Sequence, residues 1–283
     1  MNNDTVHKEA WNSIGIFSVF LLLFSAIAYY AILKLNPTSL YVGLLMIAPS
    51  LATFVTLLIK GKSFASLPWG LKKFSFLKRG YAVPLLYVSI AYFFIWIFGV
   101  ANFINLEKIT TWSKELGLEG ANEILVATVM IVLLLTVGVI KNLGSTLGKE
   151  IGWRGFLIFE LRKVLSFNKV VLVSGIIWAV WHYPIIHLIY GRGEHLYLHI
   201  IAFTIMIVSI SVILTYYTFK SESLWPAAIY HSVHNIYIQK IATPLTISKD
   251  ISTFWIDEYG FMIPIITVFF AIYYLRKARV EGL

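Results

Sequence analysis

Five polar side chains stand out in an otherwise apolar sequence: Glu150, Arg154, His182, His231 and Asn235. A carboxylate beside a histidine can activate water. A histidine beside a carboxamide can donate hydrogen bonds to an oxyanion. These side chains fall in three clusters. The segment Gly148-Lys149-Glu150-Ile151-Gly152-Trp153-Arg154-Gly155 sets Glu150 and Arg154 four residues apart, on one helix face where they can pair. Taken alone, that spacing also suits an ion pair at a membrane surface. Trp178-Ala179-Val180-Trp181-His182-Tyr183-Pro184 places His182 about 18 Å into an apolar stretch, at about 1.5 Å per residue. Trp225-Pro226-Ala227-Ala228-Ile229-Tyr230-His231-Ser232-Val233-His234-Asn235 again sets two polar groups four apart, His231 and Asn235. Polar packing between helices would account for either histidine cluster by itself. His234 is adjacent but about 60° off the His231 line.

The elements that must position these groups are membrane helices. The chain has 283 residues, 59% hydrophobic and 13% charged, with a mean hydropathy of +0.79. Soluble domains carry roughly 25% charged residues, so a soluble fold is excluded. The net charge of +9 lies in short loops between apolar stretches, which argues against nucleic acid as a partner. There is no cysteine, so thiol catalysis and disulfides are excluded. The pattern predicts an all-α, polytopic helix bundle of about eight transmembrane helices, forming one membrane domain over 1–283. The spans are expected near 13–34, 39–59, 81–104, 123–141, 170–190, 196–219, 224–241 and 259–275. The amphipathic stretch 143–165 is expected to be a separate helix dipping into the cytosolic leaflet.

Eight spans put both termini on one side. That side then carries 17 of the 23 Lys and Arg residues, which the positive-inside bias assigns to the cytosol of a cell-membrane protein. On this topology Glu150 sits at the cytosolic entrance, His231 about 10 Å in and His182 near mid-depth. All three could line one cavity opening to the cytosol. His187, His195 and His199 read as interfacial. The outer-loop acids Glu107, Glu115, Glu119, Glu123, Glu194, Asp257 and Glu258 read as solvated faces.

The ordered motifs resemble the CPBP family, which includes the CAAX proteases and bacteriocin-processing membrane enzymes. That family shows Glu-Glu-x-x-x-Arg, then Phe-x-x-x-His, then His-x-x-x-Asn. Here they read Lys149-Glu150-x-x-x-Arg154, Trp178-x-x-x-His182 and His231-x-x-x-Asn235. The likeness covers a core of roughly 140–240. It implies an intramembrane endopeptidase that cleaves a membrane-bound or lipidated, CAAX-like peptide. His182 would help activate water, His231 and Asn235 would stabilise the oxyanion, and Glu150 with Arg154 would hold the motif in shape.

Two positions depart from the pattern. Trp178 replaces one aromatic ring by another. Lys149 replaces the first glutamate, which in the family reading is the base for water. Several readings stay open: Glu150 turns inward as base, Lys149 acts as base when deprotonated, or the chain is a non-catalytic relative serving as a peptide-binding, immunity or scaffold protein. A divalent metal is not demanded by the pattern. A zinc ion would find its three usual protein ligands in Glu150, His182 and His231. A transporter would also use buried ionisable groups, but no internal repeat accompanies them.

Overall fold

The computed structural model describes residues 3–35, 39–71, 73–188 and 195–283, with Glu194 outside them. The chain is all-α. Helix α1 spans Asn3–Lys34, α2 Ser39–Ile59 and α3 Phe74–Ile97. The short α4, Leu106–Leu116, is capped by the Asn105 side chain and ends at Gly117, whose φ of 66° only glycine adopts readily. Helix α5 runs Glu123–Arg162, α6 Phe167–Leu188 and α7 Leu196–Ser221. Helix α8 is Trp225–Ile236, continued by a π turn Tyr237–Ala242, and α9 is Met262–Val280. Among the described residues, six helices are long and apolar enough to cross a membrane: α1, α2, α3, α5, α6 and α7. The expected spans near 224–241 and 259–275 exist as helices α8 and α9, but are not among those six.

Burial patterns show how the bundle is layered. On α1, Ala10, Phe17, Leu21, Ala28 and Ile32 recur at helical spacing and are buried, while Val19, Leu22 and Tyr30 are exposed. That is a one-sided helix. Helix α7 is buried without interruption from Ser209 to Phe219, as a central helix must be. Glycines set the close crossings. A Cβ on Gly80 of α3 would lie 2.5 Å from the Pro226 carbonyl oxygen of α8, and one on Gly175 of α6 would lie 3.2 Å from Ser211 Oγ of α7. Small residues at such crossings let helix backbones approach within a bilayer.

The expected break after residue 141 is absent. Helix α5 is continuous over 40 residues, absorbing two π turns at Leu134–Gly138 and Ile151–Leu157. At about 1.5 Å per residue it is roughly 60 Å long, twice a hydrocarbon core of about 30 Å. The glycines of this stretch serve packing. A Cβ on Gly148 would sit 2.9 Å from the Met46 carbonyl oxygen, and one on Gly152 would sit 2.5 Å from Pro49 Cβ. The 143–165 stretch is therefore pressed along α2 rather than folded aside.

Contacts identify the two ends of the bundle. At one end Leu224 N–H donates to the Pro68 carbonyl (2.9 Å) and Trp225 Nε1 to the Trp69 carbonyl (2.8 Å). Lys60 Nζ donates to Asn12 Oδ1 there (3.2 Å). Lys220 and Tyr216 bind Glu281, and these hydrogen bonds hold its carboxyl below the usual range. This end carries the basic loops. At the other end Asn102–Phe103 pairs antiparallel with Thr246–Ile247, tying the loop before α4 to the loop before α9.

Replacing Gly152 by leucine should lower the thermal unfolding midpoint of the detergent-solubilised protein, because overpacking costs about 1–3 kcal/mol. Gly15→Ala, where a Cβ meets nothing within 4 Å, should leave the midpoint unchanged or slightly raised.

Candidate active site

The pressing of α5 onto α2 takes Glu150 and Arg154 out of solvent, at 0% and 1% exposure. Glu150 Oε1 accepts from Arg154 Nη1 at 3.2 Å and from His231 Nδ1 at 2.7 Å. Its Oε2 lies 3.1 Å from the same Arg154 nitrogen, without hydrogen-bond alignment. Arg154 Nη2 donates to Ser211 Oγ (3.1 Å), and the guanidinium lies 4.1 Å from the centre of the Trp178 ring. One carboxylate and one guanidinium therefore join α5 to α6, α7 and α8. A buried ion pair is better tolerated the more of its hydrogen-bonding capacity is used; this one adds an imidazole, a hydroxyl and an aromatic face, while Glu150 Oε2 and Arg154 Nε make no hydrogen bond.

Beside this pair lies a cavity of about 180 Å³ accessible to water. That is ample room for several waters, since one needs only about 10–15 Å³ by the same measure. Lys149, His182, His231, His234, Asn235 and Glu258 contribute to its wall. Asn142 and Ser145 continue the Lys149 face of α5 along it. Glu150 itself does not line it. His182 Nδ1 donates to the Trp178 carbonyl at 2.9 Å, one helical turn back. His231 Nδ1 donates to Glu150. In both rings Nε2 is then the remaining nitrogen, an acceptor when the ring is neutral and a donor once it is protonated. Aromatic rings hold the imidazoles: Trp181 and Phe203 lie 4.7 and 5.3 Å from His182, and Trp178 lies 5.3 Å from His231. Trp178 thus stands between the two histidines and Arg154.

Most of the candidates converge. His182, His231, Asn235 and Lys149 share the cavity, with Glu150 and Arg154 directly behind its wall. Several placements differ from the sequence expectation. Glu150 is no entrance residue: with α5 continuous, it lies about 18 Å from the Arg162 end by helical rise. His199 is fully buried, its Nδ1 donating to the Tyr259 carbonyl at 2.9 Å. Glu258 is half-buried and lines the cavity rather than only a solvated face. His234 joins the wall, bonded through Nδ1 to the Tyr87 hydroxyl. Gln239, Glu258 and Tyr259 reach the cavity from the end away from the basic loops, so its lining lies nearer that end.

Zinc does not fit the expected trio. Glu150 Oε1 already accepts from Arg154 and His231, and the His231 nitrogen nearest Glu150 carries the bonding proton. Among the described residues no group of three His, Asp or Glu side chains could hold a metal ion.

Ser211 was not legible beforehand, since a serine in an apolar span carries no pattern. Glu258 had a signal, an acid directly before Tyr259 and close to the start of α9, but only the loop's fold gives it meaning. Arg154→Ala should lower stability by about 3–5 kcal/mol, because it strands a buried carboxylate. Thermal unfolding of the purified protein measures this, and Arg154→Lys should recover only part of the loss, lacking the planar fork.

Relatives carry the same region. Residues 125–237 match the family described as type II CAAX prenyl endopeptidase, Rce1-like. Over 99 residues the chain is 27% identical to the CAAX prenyl protease 2 of Methanococcus maripaludis. That stretch is 33% of this chain and 36% of the relative, so the likeness spans about a third of each. The three motifs fall in order within the matched residues, so the likeness to CAAX prenyl endopeptidases covers the residues of the site.

Proposed function

We propose that this chain is a CAAX-type intramembrane endopeptidase acting on a membrane-bound or lipidated peptide. The observation that carries the reading is the pair of imidazoles, His182 and His231. Each is tied down through Nδ1, and both border the cavity that Asn235 also lines. Fixed donors and acceptors around a water-sized space are what amide hydrolysis needs.

In this reading, His182 Nε2 accepts a hydrogen bond from the attacking water and orients it. Asn235 donates its carboxamide N–H to the carbonyl oxygen as negative charge develops there. His231 joins it when Nε2 carries a proton, and Glu150 at Nδ1 counters the charge that proton brings. Arg154 fixes Glu150, and through it the His231 ring. The 140–240 region supplies these groups within a single membrane domain, 1–283.

One observation favours a second reading. Lys149 is 4% exposed and lines the cavity where the family pattern has a carboxylate. An ammonium accepts no proton, which suits a non-catalytic relative that binds peptide or a partner. The test uses membranes carrying the natural chain, His182→Ala, Asn235→Ala and Lys149→Glu, with a pool of lipidated and transmembrane peptides. Cleavage by the natural chain, lowered about 10²- to 10⁴-fold by His182→Ala and about 10²- to 10³-fold by Asn235→Ala, supports the peptidase. Cleavage gained only in Lys149→Glu supports the non-catalytic reading.

The basic end of the bundle, with both termini, is assigned to the cytosol by the positive-inside bias. On that assignment the cavity lies in the outer half of the bilayer, and a cavity facing the cytosol needs the reverse orientation. The natural chain has no cysteine, so single cysteines report without background. Ser63→Cys should resist an impermeant thiol reagent in intact cells, and Glu119→Cys should react. The opposite pattern reverses the assignment.

A further inference from the structure

The substitution at Lys149 removes a carboxylate from α5, yet the cavity retains one. Among the described lining residues, Glu258 is the only acid. Glu150 is behind the wall, with Oε1 accepting two hydrogen bonds and no exposed surface. It cannot face a substrate without breaking the Arg154 and His231 contacts together.

Glu258 comes from the loop before α9, and that loop is held at several points. The Asp257 N–H donates to the Tyr92 hydroxyl (3.2 Å), and the Tyr259 N–H donates to Asp257 Oδ1 (2.7 Å). His199 anchors the Tyr259 carbonyl from α7, and the Tyr259 ring stacks 5.6 Å from Phe203. Gln239 of α8 donates its side-chain N–H to Glu258 Oε1. Lys149, on the same cavity wall, is within electrostatic reach of Glu258. Where the family pattern has a carboxylate on α5 this chain has an ammonium, and the carboxylate of the cavity is on the loop.

We propose that Glu258 is the catalytic carboxylate of this cavity and Lys149 its counter-charge, an assignment that rests on the peptidase reading above. The attacking water gives one proton to a Glu258 carboxylate oxygen as its own oxygen bonds to the peptide carbonyl carbon. The carbonyl π pair moves onto the carbonyl oxygen, facing Asn235 and His231. That pair returns as the C–N bond breaks, and Glu258 passes its proton to the departing amine. The products are a carboxylic acid and an amine, and the Glu258 carboxylate is restored.

The test uses the full chain in proteoliposomes, comparing the natural protein, Glu258→Gln and Glu258→Asp on one lipidated peptide that the natural chain cleaves. Glu258→Gln should lower kcat by about 100-fold or more, the lower bound for loss of a general base, with KM within about twofold. Glu258→Asp should fall between, and matching melting curves exclude misfolding. A second measurement needs no activity: acylation of Lys149 by a small amine-reactive reagent, quantified by mass spectrometry. Removing the counter-charge should change that rate severalfold in Glu258→Gln. An unchanged kcat in Glu258→Gln overturns the base role, and an unchanged acylation rate overturns the pairing. No cleavage by the natural chain on any peptide overturns the peptidase reading, and the base role with it, while the acylation result still decides the pair.

Discussion

The Glu150 carboxylate is the constraint around which the core is organised. It is fully buried, and a buried charge must find partners within the protein. Those partners sit on different helices. Arg154 answers from its own helix, one turn on, and reaches across to Ser211 of α7 and the Trp178 ring of α6. His231 answers from α8. Satisfying one charge therefore fixes the mutual positions of four helices and sets the orientation of a cavity-lining imidazole. The same contacts that stabilise the interior aim His231.

That arrangement requires α5 to lie unusually close to α2. Gly148 and Gly152 allow it, since a side chain at either would run into the backbone at Met46 or the ring of Pro49. In lipid there is little hydrophobic drive between helices, so close backbone approach and polar contacts carry association. Gly175 acts likewise for α6 against α7 and brings Ser211 within reach of Arg154. The glycines and the ion pair are two halves of one design: small residues admit the approach, and the buried charges give it a unique register.

The cavity is assembled from opposite kinds of element. Helices α5, α6, α7 and α8 provide its rigid walls, while the loop before α9 closes it with Glu258 and Tyr259. A loop that bonds to α3 through Tyr92 and to α7 through His199 behaves as part of the wall. An acid in such a loop is pre-positioned, which is what catalytic or ligand-binding carboxylates need.

What the sequence determined by itself follows from local rules. Apolar runs of membrane length, a scarcity of charge and the placement of Lys and Arg specify a helical membrane bundle. Spacing by four sets Glu150 with Arg154, and His231 with Asn235, on shared helix faces, because helical geometry needs no tertiary information. The order of the three motifs gives the resemblance to CAAX prenyl endopeptidases. Tertiary structure alone decided three things. It made 123–162 one helix, because Gly148 and Gly152 are crossing points whose partners in α2 lie about a hundred positions earlier. It placed Glu150 behind the cavity wall, because the hydrogen bonds from Arg154 and His231 hold it there. It brought Glu258 to the cavity that Lys149 also lines, because the path of a loop depends on distant hydrogen bonds to Tyr92, His199 and Gln239 that no local pattern encodes.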